Sequence, residues 1–455
     1  MLSPARTLRL LCGFPALMTL AGPLTAQQLS FVDRQLVAAG VWAEARYNYA
    51  YWEAVRADWD SAFAATVTFA AARGAGGGSA PSDVQFFRRL RRWVALLGDG
   101  QAEVLPPPAI GGRVARPPLV LRSIEGRPFI IDYAVNDEMR VARPERLAEI
   151  VAVQGIPAEQ WIRDSILPEV PGATEQSRWE RGVARMLEGE RNVALHLRLR
   201  LPGGAERGAS VTRSIALTAR WPLERPPLEV DTLPDGAIWV RVNTLDDPDV
   251  VRLFDRALGD APHLTGIVLD LRETTRTGSG REHGYDILAR LIERPCLTSR
   301  WRTPLYRPAY RGADVPDSSG AWLAAPSDTI RPRRDRAGFT GPVAVLASPR
   351  TAGAAEDLLV AFRNGSRGPI IGEPSAGSTG QTLLLPIAQR AGGWQFRVTV
   401  TRDAFPDGTE FVRTGIAPEL PVAVKVEDVL AGRDAALERA REYLAAARPP
   451  ATHRR

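Results

Sequence analysis

The stretch Thr351-Ala352-Gly353-Ala354-Ala355-Glu356-Asp357 has the spacing of a bond-breaking site. The apolar run Val343 to Ala347 reads as a buried strand, Ser348-Pro349-Arg350 as a turn, and Ala354 to Phe362 has the Ala, Leu and Glu content of a helix. Such a strand-turn-helix corner holds residue 353 exposed at a helix N-terminus, where free backbone N–H groups can stabilise an oxyanion. A serine there would be an activated nucleophile for acyl transfer. The chain has Gly353, which has no side chain with which to attack. The corner reads as a nucleophile elbow without its nucleophile.

Acyl transfer also needs a base within hydrogen-bond reach, a group that orients the base, and oxyanion donors. The histidines are His196 in an alternating run, His263 beside Pro262, His283, and His453 in the tail; Lys425 is the only lysine. Of these only His283 is expected near the cleft, with Ser279, Ser375, Ser378 or Thr379 as candidate partners. A relocated nucleophile-base pair is one reading of His283, and a solvated loop histidine is the commoner one. Glu356, Asp357 and Glu373 read as helix-start charges and turn contacts rather than catalytic acids. No H-E-x-x-H, cysteine pair or close acidic cluster suggests a metal, and no cofactor motif appears.

The run Gly341 to Gln381 resembles the core of the C-terminal processing (tail-specific) serine peptidases and their tricorn-core-like relatives. In that family a T-x-S-A-A-E segment holds the nucleophile and a G-E-x-T-x-G segment follows. Four further pieces are similar, in the family's order. Trp42, Asp58-Trp59-Asp60 and Leu96-Leu97-Gly98-Asp99-Gly100 resemble an N-terminal helical region ending in L-x-D-G-H-T. Thr265 to Arg272 resembles the strand opening the D-L-R-x-N-x-G-G loop. Phe405 to Gly408 with Gly415-Ile416-Ala417-Pro418-Glu419, and Gly432 to Leu437, resemble the closing strand and turn and the terminal helix.

Carried over residue by residue, the resemblance implies a substituted catalytic set. The nucleophile position is Gly353 and the base position, histidine in D-G-H-T, is Gln101, which can hydrogen-bond but takes no proton at neutral pH. The lysine used by the family's other branch aligns with Ser378, and Lys425 lies in the wrong element, so a Ser-Lys dyad is excluded on inventory. The acid position falls at Arg413, with Glu410 nearby in a different register. The loop that contributes oxyanion donors has become Asp270 to Gly280, its glycines displaced. Thr351, Gly377 and Thr379 are the positions implied for peptide binding. The resemblance implies either an exported, catalytically degenerate pseudo-peptidase that binds polypeptide segments or protein C-termini, or an active serine peptidase, cutting peptides or protein tails, using a relocated serine. A purely structural exported protein is a third possibility, and it would bind no peptide.

Positioning such a site takes several elements, and the 455 residues suffice for two or three domains. Composition is that of a soluble globular protein, 45% hydrophobic and 24% charged. The net charge of +6 is spread arginine without a basic block or aromatic stripe, which argues against nucleic acid. Arg6 and Arg9, the apolar Leu10 to Leu20 and Leu24-Thr25-Ala26 read as a signal peptide over 1–26, too short for a stable membrane span. That predicts a periplasmic or secreted protein whose one remaining cysteine is Cys296.

The expected order then runs as follows. A helical domain covers 27–105 and has a Gly74–Ser79 break. A PDZ-like β domain covers 106–220, and its Glu149 to Pro157 strand-turn suggests an exposed edge for an added peptide strand. An α/β core spans 221–425, and a C-terminal helix and tail fill 426–455. The core, resembling the ClpP/crotonase-like arrangement of a mostly parallel sheet with crossover helices, has expected strands at Ile238 to Val242, Gly266 to Leu271, Val343 to Ala347, Pro369 to Gly372 and Phe396 to Thr401. One amphipathic helix is expected over Glu427 to Ala446.

Overall fold

The computed structural model describes residues 28–72, 80–134, 139, 143–219, 225–261, 263–274, 280–305, 322–333 and 338–447. The expected leader, the Gly74–Ser79 break, Pro262, Ser279 and His453 lie outside the described residues.

A six-stranded sheet forms the centre, in the order Leu228–Thr232, Ile238–Val242, Ile267–Asp270, Val343–Ala347, Ile370–Gly372, Leu420–Pro421. The first pair is antiparallel and all the others are parallel. Parallel strands covered on both faces read as continuous apolar runs, and every residue of Ile267–Asp270 and Val343–Ala347 is buried. Alternate side chains serve the two faces. Val240, Leu269 and Val345 join the core beneath helices Asp249–Gly259, Arg281–Ala289 and Ala354–Asn364, whereas Val268, Ala344, Leu346 and Ile371 pack on Ala440 and Leu444 of the last helix. Helix Ala354–Asn364 is sealed over its first nine residues, Ala354 to Phe362, which fixes the corner that precedes it.

One expected core strand belongs elsewhere. The run placed at Phe396 to Thr401 is the strand Trp394–Thr399, in a separate three-stranded antiparallel sheet between Glu103–Leu105 and Thr382–Ile387. The period-two pattern explains the change, because Trp394, Phe396 and Val398 face the N-terminal helices and share a core with Val37, Val41, Leu90 and Trp93. Helices Phe31–Asn48, Trp59–Ala71 and Asp83–Ala95 build that core, two of them opened by serine capping boxes at Ser30 and Ser82.

A second sheet is antiparallel, in the order Leu119–Ile124, Arg127–Tyr133, Glu149–Val153, Ala194–Arg200, Glu206–Thr212. Strand Ala194–Arg200 alternates strictly between exposed and buried residues. At Gln154-Gly155 the backbone reverses with φ of 52° and 80°, the left-handed pair of a two-residue hairpin. Helix Glu175–Arg185 lies against the edge strand Leu119–Ile124.

The single expected C-terminal helix is two helices, Val426–Leu430 and Ala435–Ala446. Gly432 at φ 69° ends the first, and the Asp434 carboxylate accepts the Leu437 N–H to start the second. Among the described residues no helix is long and apolar enough to cross a membrane.

Candidate functional site: the corner at Gly353

Thr351 staples the turn after strand Val343–Ala347. Its hydroxyl donates to the Leu271 carbonyl at 3.0 Å and accepts the Ser348 N–H at 3.0 Å. With no exposed surface, Thr351 acts as a buried brace of the turn. Gly353 follows at φ 62°, ψ −130°, a conformation close to glycine-only, and its carbonyl accepts the Glu356 N–H at 2.8 Å to open the helix.

The corner was expected to hold residue 353 exposed; instead Gly353 is buried. The segment Ser375 to Gly380 folds across it. The Gly353 N–H donates to the Ser378 carbonyl at 2.9 Å, and the Thr379 hydroxyl donates to the Gly353 carbonyl at 3.1 Å. An amide donor at the place where an oxyanion would need one is thus engaged within the protein.

Glu356 holds that segment down. Its carboxylate accepts the Gly377 and Ser378 N–H groups, each at 2.7 Å, and the Ser375 hydroxyl. Burial pushes the Glu356 carboxyl up to about 7, against the hydrogen bonds that favour its charged form. Within the corner, Ser375 and Glu356 come nearest to a nucleophile with a base, yet neither has any exposed surface. The Ser375 oxygen also accepts the Ile416 N–H at 2.8 Å, so no substrate reaches the pair.

The other sequence-derived positions converge here. Gln101 is buried; its N–H donates to Asp99 at 2.9 Å, and its side-chain amide donates to the Gly380 carbonyl at 3.3 Å. The buried Ser378 hydroxyl has no hydrogen-bond partner among the described residues and faces Gly100, where an added Cβ would clash with it. Gly377, at φ 64°, accepts the Arg413 N–H at 2.8 Å, and the Arg413 guanidinium lies against Gly98. Arg413 itself has φ 74°. Positions 353, 101, 378 and 413 therefore form one cluster, with Thr351, Gly377 and Thr379 as its framework. Burial raises the Asp99 carboxyl above its ordinary range, opposed first by the Thr399 hydroxyl, which donates to it at 2.6 Å.

His283 does not join the cluster. It lies in helix Arg281–Ala289, and its Nδ1 bonds the Leu245 carbonyl at 2.7 Å. Ser375 and Thr379, two of its candidate partners, are bonded to Glu356 and to the Gly353 carbonyl.

Below the corner sits a buried ion triad that the sequence did not signal. Arg281 donates to Asp357 at 2.9 Å and to Asp403 at 2.6 Å, and both carboxylates are almost fully buried. Thr379 and Ser299 also donate to Asp357, at 3.3 Å and 3.0 Å. Burial and then the Asp357 charge push Asp403 up to about 6, while Arg281 and the Thr401 hydroxyl pull against them. Asp357 is thus more than a helix-start charge, since it ties the corner to Thr379 and to Arg281. Arg281 and Asp403 are 122 residues apart, and no local pattern joins them.

Beside the corner opens a cleft of about 1030 Å³ between the antiparallel sheet and the core, lined by Ser348, Pro349 and Arg350 and by Arg122, Trp179 and Glu180. Arg350 bridges Glu273 at 3.0 Å and Glu180 at 3.4 Å, while Arg122 pairs with Glu273 and the Ser123 N–H donates to Glu180 at 3.0 Å. Arg272 is fixed by Asp270 and Asp434, each at 2.7 Å. Among the described residues no group of His, Cys, Asp and Glu has the arrangement of a metal site.

Residues 239–422 match peptidase family S41. Mature CPAF has the same fold, with a TM-score of 0.68 over 91% of this protein and 96% of that one at 14% identity. The mature CPAF complexed with lactacystin gives 0.67 over 91% and 97%, also at 14% identity. A putative peptidase from Parabacteroides merdae gives 0.52 over 91% and 96% at 15% identity. A search of curated proteins by sequence finds no match.

Proposed function

Residues 239–422 being a peptidase family S41 domain, we propose that the protein is a peptidase-fold member that has lost catalysis and binds polypeptide segments. One observation carries this reading: the nucleophile corner is built with a residue that cannot attack, Gly353 at φ 62°, whose N–H is engaged by Ser378. The surroundings support it. Gln101 at the base position bonds a backbone carbonyl, Arg413 at the acid position brings the wrong charge, and the corner serines Ser375 and Ser378 are buried.

What remains suits peptide binding. The antiparallel sheet with helix Glu175–Arg185 against its edge strand supports a PDZ-like reading of this region, and the cleft of about 1030 Å³ joins that edge to the corner. The leader-like residues 1–26 support export to the periplasm or beyond. The test is to incubate the purified protein with casein and with casein-derived peptides, measuring cleavage by mass spectrometry and retention by gel filtration. Peptides retained uncut are expected. Cleavage with turnover contradicts the loss of catalysis, and neither cleavage nor retention contradicts peptide binding.

A further inference from the structure

A second cavity, of about 670 Å³, is lined by Gly100 and Gln101 and walled by helices Asp83–Ala95 and Glu175–Arg185 and by strand Glu103–Leu105. Most charges around it are paired. Glu103 takes Arg397 at 3.1 Å, Glu169 takes Arg88 at 2.8 Å, and Glu188 takes Arg91 at 3.1 Å and Arg185 at 3.2 Å. Asp99 accepts from Thr399 and Gln101, and Asp246 is also engaged.

Arg181 differs. It has no carboxylate partner within ion-pair distance among the described residues, and its Nη1 is anchored on the Gly100 and Pro171 carbonyls. Its Nε and Nη2 make no hydrogen bond to described residues and are not sealed from solvent. Burial lowers its pKa, while the more distant Glu103 and Asp99 pull the other way. A guanidinium oriented by two carbonyls and left with two free donor positions presents the fork that a carboxylate accepts. The cavity also offers an extended ligand a backbone to pair with, because Glu103–Leu105 is an edge strand, paired among the described residues only with Trp394–Thr399.

We propose that this cavity binds a carboxylate-bearing peptide in extended form, added beside Glu103–Leu105, with its carboxylate on Arg181. The inference rests on the peptide-binding reading above and supplies that reading's ligand class. The carboxylate has two sources, the C-terminus of the peptide or an Asp or Glu residue within it, and the probe separates them.

The probe is a random decapeptide pool made without Asp or Glu, as free acid and as C-terminal amide, alongside amidated pools that contain Asp and Glu. Binding is measured by affinity-selection mass spectrometry, with calorimetry on enriched members. Wild type is expected to prefer carboxylate-bearing pools at least tenfold. Arg181→Gln should abolish the preference, and Arg181→Lys should keep part of it. Circular dichroism checks that both variants fold, and the surface change Arg439→Gln should alter nothing. Preference for the free acid assigns the C-terminus; preference only for acidic amides assigns an internal Asp or Glu. Equal binding of all pools by wild type, or an undiminished preference in a folded Arg181→Gln, overturns the inference and leaves the peptide-binding reading standing. No binding of any pool overturns both.

Discussion

Replacing Gly353 by serine asks whether the corner could be restored by one residue. Gly353 sits at φ 62°, ψ −130°, where a residue of L configuration is strained by about 1–3 kcal/mol. Its neighbours give little room to relax, because its N–H and carbonyl are held by Ser378, Glu356 and Thr379 and the first nine residues of its helix are buried. For a core of this size, about 1–3 kcal/mol corresponds to a fall in melting temperature of roughly 2–12 °C. Gly353→Ala should lose a similar amount, since the strain comes from the backbone and not from the hydroxyl. Calorimetry and urea unfolding of the three proteins measure the loss, and casein hydrolysis of Gly353→Ser is expected to stay at background because Gln101 takes no proton. Unchanged stability in both variants would show that the corner is not strained as described. A gain of hydrolysis from serine alone would show that a base is present after all.

Other consequences are equally open to measurement. Arg281→Met leaves Asp357 and Asp403 buried without their cation and should cost about 3–5 kcal/mol, while adding Asp357→Asn and Asp403→Asn should restore much of it; urea unfolding of single and triple variants reads the difference. Glu356 holds its proton in the folded state up to about pH 7, well above an unfolded glutamate. Its contribution to stability is therefore full below an unfolded pKa of about 4.5 and is lost as pH rises toward 7, at up to about 1.4 kcal/mol per pH unit; Glu356→Gln should remove that slope from unfolding curves taken between pH 5 and 7. Asp434 behaves oppositely. Burial alone would raise its pKa, but Arg272 overrides this and lowers it, so its contribution is present above pH 4 and is lost on acidification through the lowered value. Asp434→Ala should cost about 1 kcal/mol from the helix cap alone, measured by thermal unfolding at pH 7.

The parts of the fold legible in the sequence were those written in local pattern. The apolar-rich run Ile238 to Val242 and the continuous apolar run Val343 to Ala347 are strands with those bounds, and Ala354 begins its helix as its composition indicated. Linear order does not say which sheet a strand joins. Trp394–Thr399 looked like one more core strand because its pattern shows that one face is buried but not against what, and its partners lie in the N-terminal helices. The convergence of Gly353, Gln101, Ser378 and Arg413 was legible only through motif order. Their electrostatics were not, because Arg281, Asp403, Arg350, Glu273 and Arg181 act through contacts between segments far apart in the sequence. Glu356 was read as a helix-start charge with turn contacts. Those contacts are real, and what the sequence could not convey is that the carboxylate making them is wholly buried.

The most direct test of the central claim is treatment of the purified protein with a fluorophosphonate probe, followed by intact mass and peptide mapping. The account predicts no stoichiometric adduct on any serine, because Ser375 and Ser378 at the corner are buried and the exposed Ser30 and Ser61 bond only the helix-cap carboxylates Asp33 and Asp58, away from any oxyanion site. One serine labelled to completion, with casein hydrolysis lost in proportion, would contradict the account and identify a working nucleophile.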